Sequence, residues 1–243
     1  MLTKSQIKLI HSLSQKKYRM QHQMFVAEGV KVVGELLDSK YELVSIFSSD
    51  SSYSKYSSNF TELSLKDLSK ISSFSSPNKV LAIFKIPEAS AVNWSGLVLA
   101  LDAVNDPGNL GTIIRLCDWF GITDLVCSKT TVDCYNSKVV QASMGSHTRV
   151  NITYTNLEKS LTKSLVSYGT FMDGTSVYEQ KLPKSAVIVL GNEANGISSE
   201  VAALMGSRLS IPRFGRLKQT ESLNVANAAA IVLSEFKRNA TEM

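Results

Sequence analysis

From residue 97 onward, strand-like and helix-like segments alternate, and the strand-like ones are apolar without interruption. Leu97–Leu101 reads LVLAL and Val187–Leu190 reads VIVL; Leu125–Cys127 and Leu209–Ile211 are shorter members. A strand that is apolar on both faces has to be covered on both faces, and parallel neighbours need a crossover connection. The segments Thr112–Phe120, Ser137–Met144, Asn156–Val166, Ser198–Met205 and Leu223–Phe236 read as helices and supply that cover. The expectation is an α/β fold built on a parallel sheet. In such sheets ligands sit at loops beyond the carboxyl ends of strands. Three loops qualify: 104–111, 191–197 and 212–222.

The first runs Asp102-Ala-Val-Asn-Asp-Pro-Gly-Asn-Leu-Gly-Thr-Ile-Ile-Arg115. Asn109 and Gly111 fall at the strand-to-helix turn, and Arg115 follows in the first turns of the helix. Two readings of Arg115 stand open: it meets a phosphate or sugar hydroxyl at the loop mouth, or it pairs with Asp102 or Asp118. In the second loop, Leu190 leads into Gly191, where a missing side chain lets a ligand approach the backbone. Glu193 is the one ionised group there, and the absence of G-x-G-x-x-G argues against a dinucleotide site. The third loop follows Ile211 with Pro212, Arg213, Phe214, Arg216 and Lys218. Ser222 is placed to cap the last helix, with Leu223 and Asn224 in its first turn.

The first ninety residues have a different character. They carry twelve basic and eight acidic residues, and residues 1–27 hold Lys4, Lys8, Lys16, Lys17 and Arg19 without an acid. A basic face suits a polyanion such as RNA. His11 and His22 lie in the same basic region, either in contact with RNA or as plain surface residues. Helical spacing at Ile7–Leu13 and Val30–Leu37, strands at Tyr41–Phe47 and Val80–Phe84, and a Ser-rich stretch over 45–76 describe a small α/β domain. Lys85–Ser95 is the linker. The division expected is 1–90 for this small domain and 91–243 for the parallel-sheet domain. No apolar run reaches the ~18 residues of a membrane span, and the N-terminus has no signal-peptide core. Cys117, Cys127 and Cys134 show no C-x-x-C pair. Neither a disulfide framework nor a metal site is expected, and a cytoplasmic location fits.

Taken together, Asn-Leu-Gly-Thr-Ile-Ile-Arg (109–115), Gly-Asn-Glu-Ala-Asn-Gly (191–196) and Ile-Pro (211–212) with Ser-Leu-Asn-Val (222–225) resemble the three motifs of the SpoU, or TrmH, family of RNA 2′-O-methyltransferases. The resemblance covers roughly 96–238; Phe25-Val-Ala-Glu-Gly29 looks like the family's auxiliary substrate-binding domain, so that 1–90 would bind RNA and 91–243 would carry out the methyl transfer. It implies a deep trefoil knot in the C-terminal domain and S-adenosylmethionine as methyl donor. It also implies a homodimer formed through that domain. The backbone near Leu190, Gly191, Ile211 and Leu223 would hold the cofactor. Asn109, Arg115, Glu193, Ser222 and Asn224 would line the reaction site. The 212–222 run is longer than in many relatives, and its cations and ring would grip phosphate or stack on a base, or else lie in solvent.

The resemblance makes a ribose 2′-hydroxyl the acceptor, in ribosomal RNA by preference and transfer RNA as the alternative. An RNA-binding protein without catalysis is the competing class. The family's usual general base is the first-motif arginine, here Arg115. A free guanidinium is neutral at pH 7 at a cost of roughly 7–9 kcal/mol, so fixing phosphate and stabilising an alkoxide is the less costly role.

Overall fold

The computed structural model describes residues 2–161, 166–217 and 222–241. Up to residue 88 the elements are α1 (Lys4–Ser12), α2 (Lys16–His22), β1 (Met24–Glu28), α3 (Val30–Leu37), β2 (Leu43–Ser48), β3 (Phe60–Glu62), α4 (Leu65–Leu68) and β4 (Val80–Lys85), with a 3₁₀ turn over Ser51–Tyr56. Beyond it come β5 (Leu97–Leu101), α5 (Pro107–Trp119), β6 (Asp124–Ser128), α6 (Ser137–Ser143), β7 (Asn151–Thr155) and α7 (Leu157–Ser160). The chain continues with β8 (Ser167–Ser176), β9 (Ala186–Leu190), α8 (Ser199–Ala202), β10 (Ser207–Ser210) and α9 (Val225–Thr241).

These elements divide into two compact units. The first contains residues 1–88 together with 133–148, a segment expected in the second domain. It holds a four-stranded sheet in the order β1-β4-β2-β3, with β2 and β3 parallel and the other pairs antiparallel. Val140 of α6 is buried in one of its cores with Phe25, Val33, Ile46 and Phe84, and Tyr135 packs against the same cluster. Polar contacts pin the segment as well. Arg19, counted above as part of a basic face, is instead 2% exposed. Its Nη2 lies 2.5 Å from Asp133 Oδ2, and its Nη1 donates to the carbonyls of Leu13 and Ser14. His147 is buried, with Nδ1 at 2.6 Å from Ser143 Oγ and Nε2 at 2.8 Å from the Cys134 carbonyl.

The second unit contains 89–132 and 149–243. Its six strands run in the order β10-β8-β9-β5-β6-β7, and every pairing is parallel. β5, β6 and β9 are buried along their whole length; β5 and β9 are apolar throughout, and β6 has an apolar centre, Leu125–Cys127, between Asp124 and Ser128. Register decides where the loops go: Leu101 pairs with Leu190, and the Asp102 N–H donates to the Leu190 carbonyl. The loops after β5 and β9 therefore leave the sheet side by side.

Several elements differ from their expected form. α5 starts at Pro107, because Asp106 caps it and proline at the first position is preorganised. Asn109 is thus inside the first turn. The helix expected over 156–166 is the short α7, with 162–165 outside the described residues. β8 follows at once, unforeseen because SYGTFMDGTS has neither an apolar run nor alternation. Glycine there answers a close strand approach: a Cβ on Gly174 would lie 2.5 Å from the Leu209 carbonyl carbon. Cys117, Cys127 and Cys134 are all buried and free. No helix among the described residues is long and apolar enough to cross a membrane.

Candidate functional site

The site begins with the capping of α5. Asp106 Oδ1 accepts the Asn109 N–H at 2.8 Å, which fixes the first turn and aims the Asn109 side chain out of the loop. Asn109 Nδ2 then donates to Glu193 Oε1 at 2.9 Å. The backbone N–H groups of Asn105 and Asp106 point at the same carboxylate, each at 3.4 Å. On the other side, Asn224 Nδ2 donates to Asn109 Oδ1 at 2.8 Å. One residue from each of the connections after β5, β9 and β10 thus enters a single hydrogen-bonded chain, Asn224–Asn109–Glu193.

The polarity of that chain is set at both ends. Asn224 Oδ1 accepts the N–H groups of Ala226 and Asn227 at 2.9 and 3.3 Å, so it caps α9. Ser222, expected to be the cap, is two residues too early; the helix begins at Val225. With Oδ1 committed to the helix, Asn224 offers only its amide hydrogens to Asn109, and Asn109 then offers its own to the carboxylate.

The loop around Glu193 is held independently. Asn192 pairs with Gly196 through two backbone hydrogen bonds of 2.9 Å, and its side-chain oxygen accepts the N–H groups of Ala194 and Asn195. Its amide donates to the Ala103 carbonyl at 2.7 Å. Ala103 has a φ of +57°, a left-handed conformation that costs a non-glycine residue roughly 1–2 kcal/mol. It is locked there by Asn192 and by Ser128 Oγ, which accepts its N–H at 2.9 Å. At Gly191 a Cβ would lie 2.1 Å from the Gly196 carbonyl carbon, so the loop closes only over glycine.

Below this chain lies a cavity of about 1370 Å³. Leu190, Gly191, Ile211 and Leu223 all line it, as do Glu193 and Ser222. Val225, Ala228 and Val232 of α9 form an apolar wall. Among the described residues Asn109, Arg115 and Asn224 do not line it; the two asparagines join it through Glu193. Arg115 is exposed on α5, two turns beyond the cap, with no hydrogen-bond partner among the described residues. The carboxylates considered as its partners are engaged elsewhere. Asp102 accepts the N–H and hydroxyl of Ser198 at 2.8 and 2.7 Å, and Asp118 pairs with Arg149 at 2.9 Å.

β8 adds residues that no sequence pattern flagged. Thr170, Phe171 and Met172 line the cavity, and the Arg208 guanidinium lies 3.5 Å over the Phe171 ring. In the long third loop, Arg213, Phe214 and Arg216 line the cavity and are exposed; Phe214 sits 6.4 Å from the Tyr178 ring. Lys218 lies outside the described residues.

Comparison with known proteins agrees with this geometry. Residues 96–234 match the SpoU rRNA methylase family, and residues 4–82 match the MRM3-like substrate binding domain. The chain is 31% identical over 237 residues to a 23S rRNA (guanosine(2553)-2′-O)-methyltransferase of Bacillus subtilis, covering 93% of each. It is 40% identical to a TrmH-family structure from Porphyromonas gingivalis, with a TM-score of 0.89 and coverage of 98% and 99%. An rRNA methyltransferase structure from Sinorhizobium meliloti with bound AdoMet is 30% identical, with a TM-score of 0.86 and coverage of 98% and 96%.

Proposed function

Because the chain belongs to the SpoU rRNA methylase family, we propose that it transfers a methyl group from S-adenosylmethionine to a ribose 2′-hydroxyl of ribosomal RNA. The observation that carries this reading is the Asn224–Asn109–Glu193 chain at the cavity. It ties together the three loops in which the family's motifs lie. The ribosomal target is favoured over transfer RNA by the B. subtilis relative, which aligns along nearly the whole chain, and by the substrate-binding match of residues 4–82.

The cavity suits the cofactor in size and chemistry. Its volume exceeds the ~300–1,000 Å³ of ordinary small-molecule pockets, which leaves space beside an elongated nucleoside. Backbone around Leu190–Gly191, Ile211 and Leu223 would hold the cofactor against the apolar face of α9. The cofactor supplies an electrophilic methyl group on a sulfonium, whose departure as a thioether needs no help from the protein. The chain's own task is to hold the hydroxyl in line and to stabilise charge as its proton leaves. Arg115, exposed and without a partner among the described residues, is assigned to the RNA phosphate and the developing alkoxide. Asn109, Glu193 and Asn224 set the shape of the mouth, and Ser222 offers a hydroxyl at the cavity wall. Arg213, Phe214 and Arg216, exposed at the cavity, would receive the RNA strand. Threading of the C-terminal segments as a trefoil knot is part of the same reading, supported by the gathering of 190–197, 209–217 and 222–232 around one cavity. A cytoplasmic site of action is supported by three free, buried cysteines.

The test is methyl transfer from labelled S-adenosylmethionine to ribosomal RNA, followed by nucleoside analysis for 2′-O-methylation. Arg115→Lys keeps the charge but loses the planar fork, and is expected to lower turnover by about 10²-fold or more. Wild-type turnover in that variant would remove Arg115 from the reaction; absence of any ribose methylation by the wild type would overturn the reading.

A further inference from the structure

One edge of the first unit's sheet gathers a set of residues that the methylation site does not use. β1, β2 and β3 end at this edge and β4 begins there, as the register shows: Glu28 pairs with Leu81, and Ser48 pairs with both Val80 and Glu62. The segments that leave it are the start of α3 with Lys31, the 3₁₀ turn over Ser51–Tyr56, and the Ser-rich run 72–79. Lys31, Lys55 and Lys79 are all exposed. Tyr56 is 42% exposed, its ring 6.0 Å from that of Tyr53 and 4.9 Å from the Lys55 ammonium. Phe74, in the run 72–79, is 36% exposed.

That run is not a slack loop. Glu28, only 6% exposed, accepts from the Ser72 hydroxyl, from the N–H and hydroxyl of Ser73, and from the Asn78 N–H. A buried carboxylate is costly unless its oxygens are satisfied, and here all the donors named come from the loop. Asn78 also lies over Gly29, whose φ of +98° brings the backbone close. The result is a fixed loop whose outer residues are serines, one aromatic ring and Lys79. The edge's exposed carboxylates are Asp50 and Glu62, and Asp50 already accepts the Ser52 N–H.

Resting on the RNA reading above, we propose that this edge is an RNA-binding surface for unpaired nucleotides, on which Phe74 and Tyr56 stack with bases while Lys31, Lys55 and Lys79 meet phosphates. Rings flanked by cations and hydroxyls are what single strands use, because every exposed base has a face to stack. A duplex hides those faces and engages cations alone.

The test uses the full-length protein with fluorescein-labelled polyuridine and a labelled RNA duplex, read by fluorescence anisotropy. Phe74→Ala should weaken polyuridine binding by about 5- to 150-fold, the range of ~1–3 kcal/mol per stacked base, and leave duplex binding within about twofold. Phe74→Trp should retain affinity and show tryptophan quenching on addition of polyuridine; Phe74 is exposed enough that neither change opens the core, which circular dichroism checks. Unchanged polyuridine affinity in Phe74→Ala, or an equal loss on the duplex, overturns this proposal and leaves the methylation reading intact. A wild-type protein that binds neither RNA also overturns this proposal, while the methylation reading stands or falls on the ribose assay above.

Discussion

Glu193, Asn109 and Asn224 each stand in a motif, yet what they do together is a property of distance. Asn109 is 84 residues from Glu193 and 115 from Asn224, and no local pattern states that two amides and a carboxylate will join. The cap of α9 shows the limit at shorter range. Serine and asparagine are both good caps, so choosing between Ser222 and Asn224 needs the backbone. Gly191 invites a sharper test. Gly191→Ala pushes a methyl group into backbone that has no rotamer to yield. We expect a loss of about 1–3 kcal/mol of stability and a clear drop in S-adenosylmethionine affinity, measured by thermal unfolding and calorimetry. His147 carries a pH dependence. Burial pushes its pKa down from 6.5 to about 4. The folded state therefore resists a proton that the unfolded chain accepts, so stability is full above pH 6.5 and falls as pH drops toward 4. At pH 5 the loss is ~2 kcal/mol relative to neutral pH, visible in urea unfolding, and His147→Gln should flatten it.

At the scale of elements, the strands most directly legible in the sequence were those buried on both faces. β5, β6 and β9 announce themselves because a strand inside a covered parallel sheet has no polar side. β7 is partly exposed along its length, β1 shows burial without simple alternation, and β8 changes from buried to exposed midway. β1 and β8 offer no sustained period to detect, and β7 (NITYT) alternates polar and apolar residues over only five positions. The segment 133–148 misled for another reason: its helix was expected, but a helix does not name its partner. Arg19 and Asp133, 114 residues apart, form the ion pair that anchors it. Arg19→Ala would strand the Asp133 carboxylate at 11% exposure and remove two donors from carbonyls. Loss of one member of a buried pair costs roughly 3–5 kcal/mol, and faster hydrogen exchange over 133–148 would report it.

For the whole molecule, the motif resemblance implies a homodimer through the second unit, and we keep it as a proposal. Trp119, on α5, is 84% exposed, an unusual state for the largest apolar side chain. Light scattering should give the mass of two chains for the wild type, and Trp119→Glu should shift it toward one; a monomeric wild type would dispose of the idea.

The return of 133–148 to the first unit also governs the order in which the protein can be made. Val140 and Tyr135 belong to a core whose other members lie before residue 87. During synthesis this core of the N-terminal unit stays incomplete until residue 148 has emerged, by which time the first two strands of the other sheet are already present. A fragment ending at residue 90 should accordingly show weak, uncooperative unfolding by circular dichroism, where one that adds 133–148 in trans as a peptide regains cooperativity. The cavity loops come later still, so a nascent chain would present the edge proposed to bind RNA before it owned the cavity proposed to hold the methyl donor.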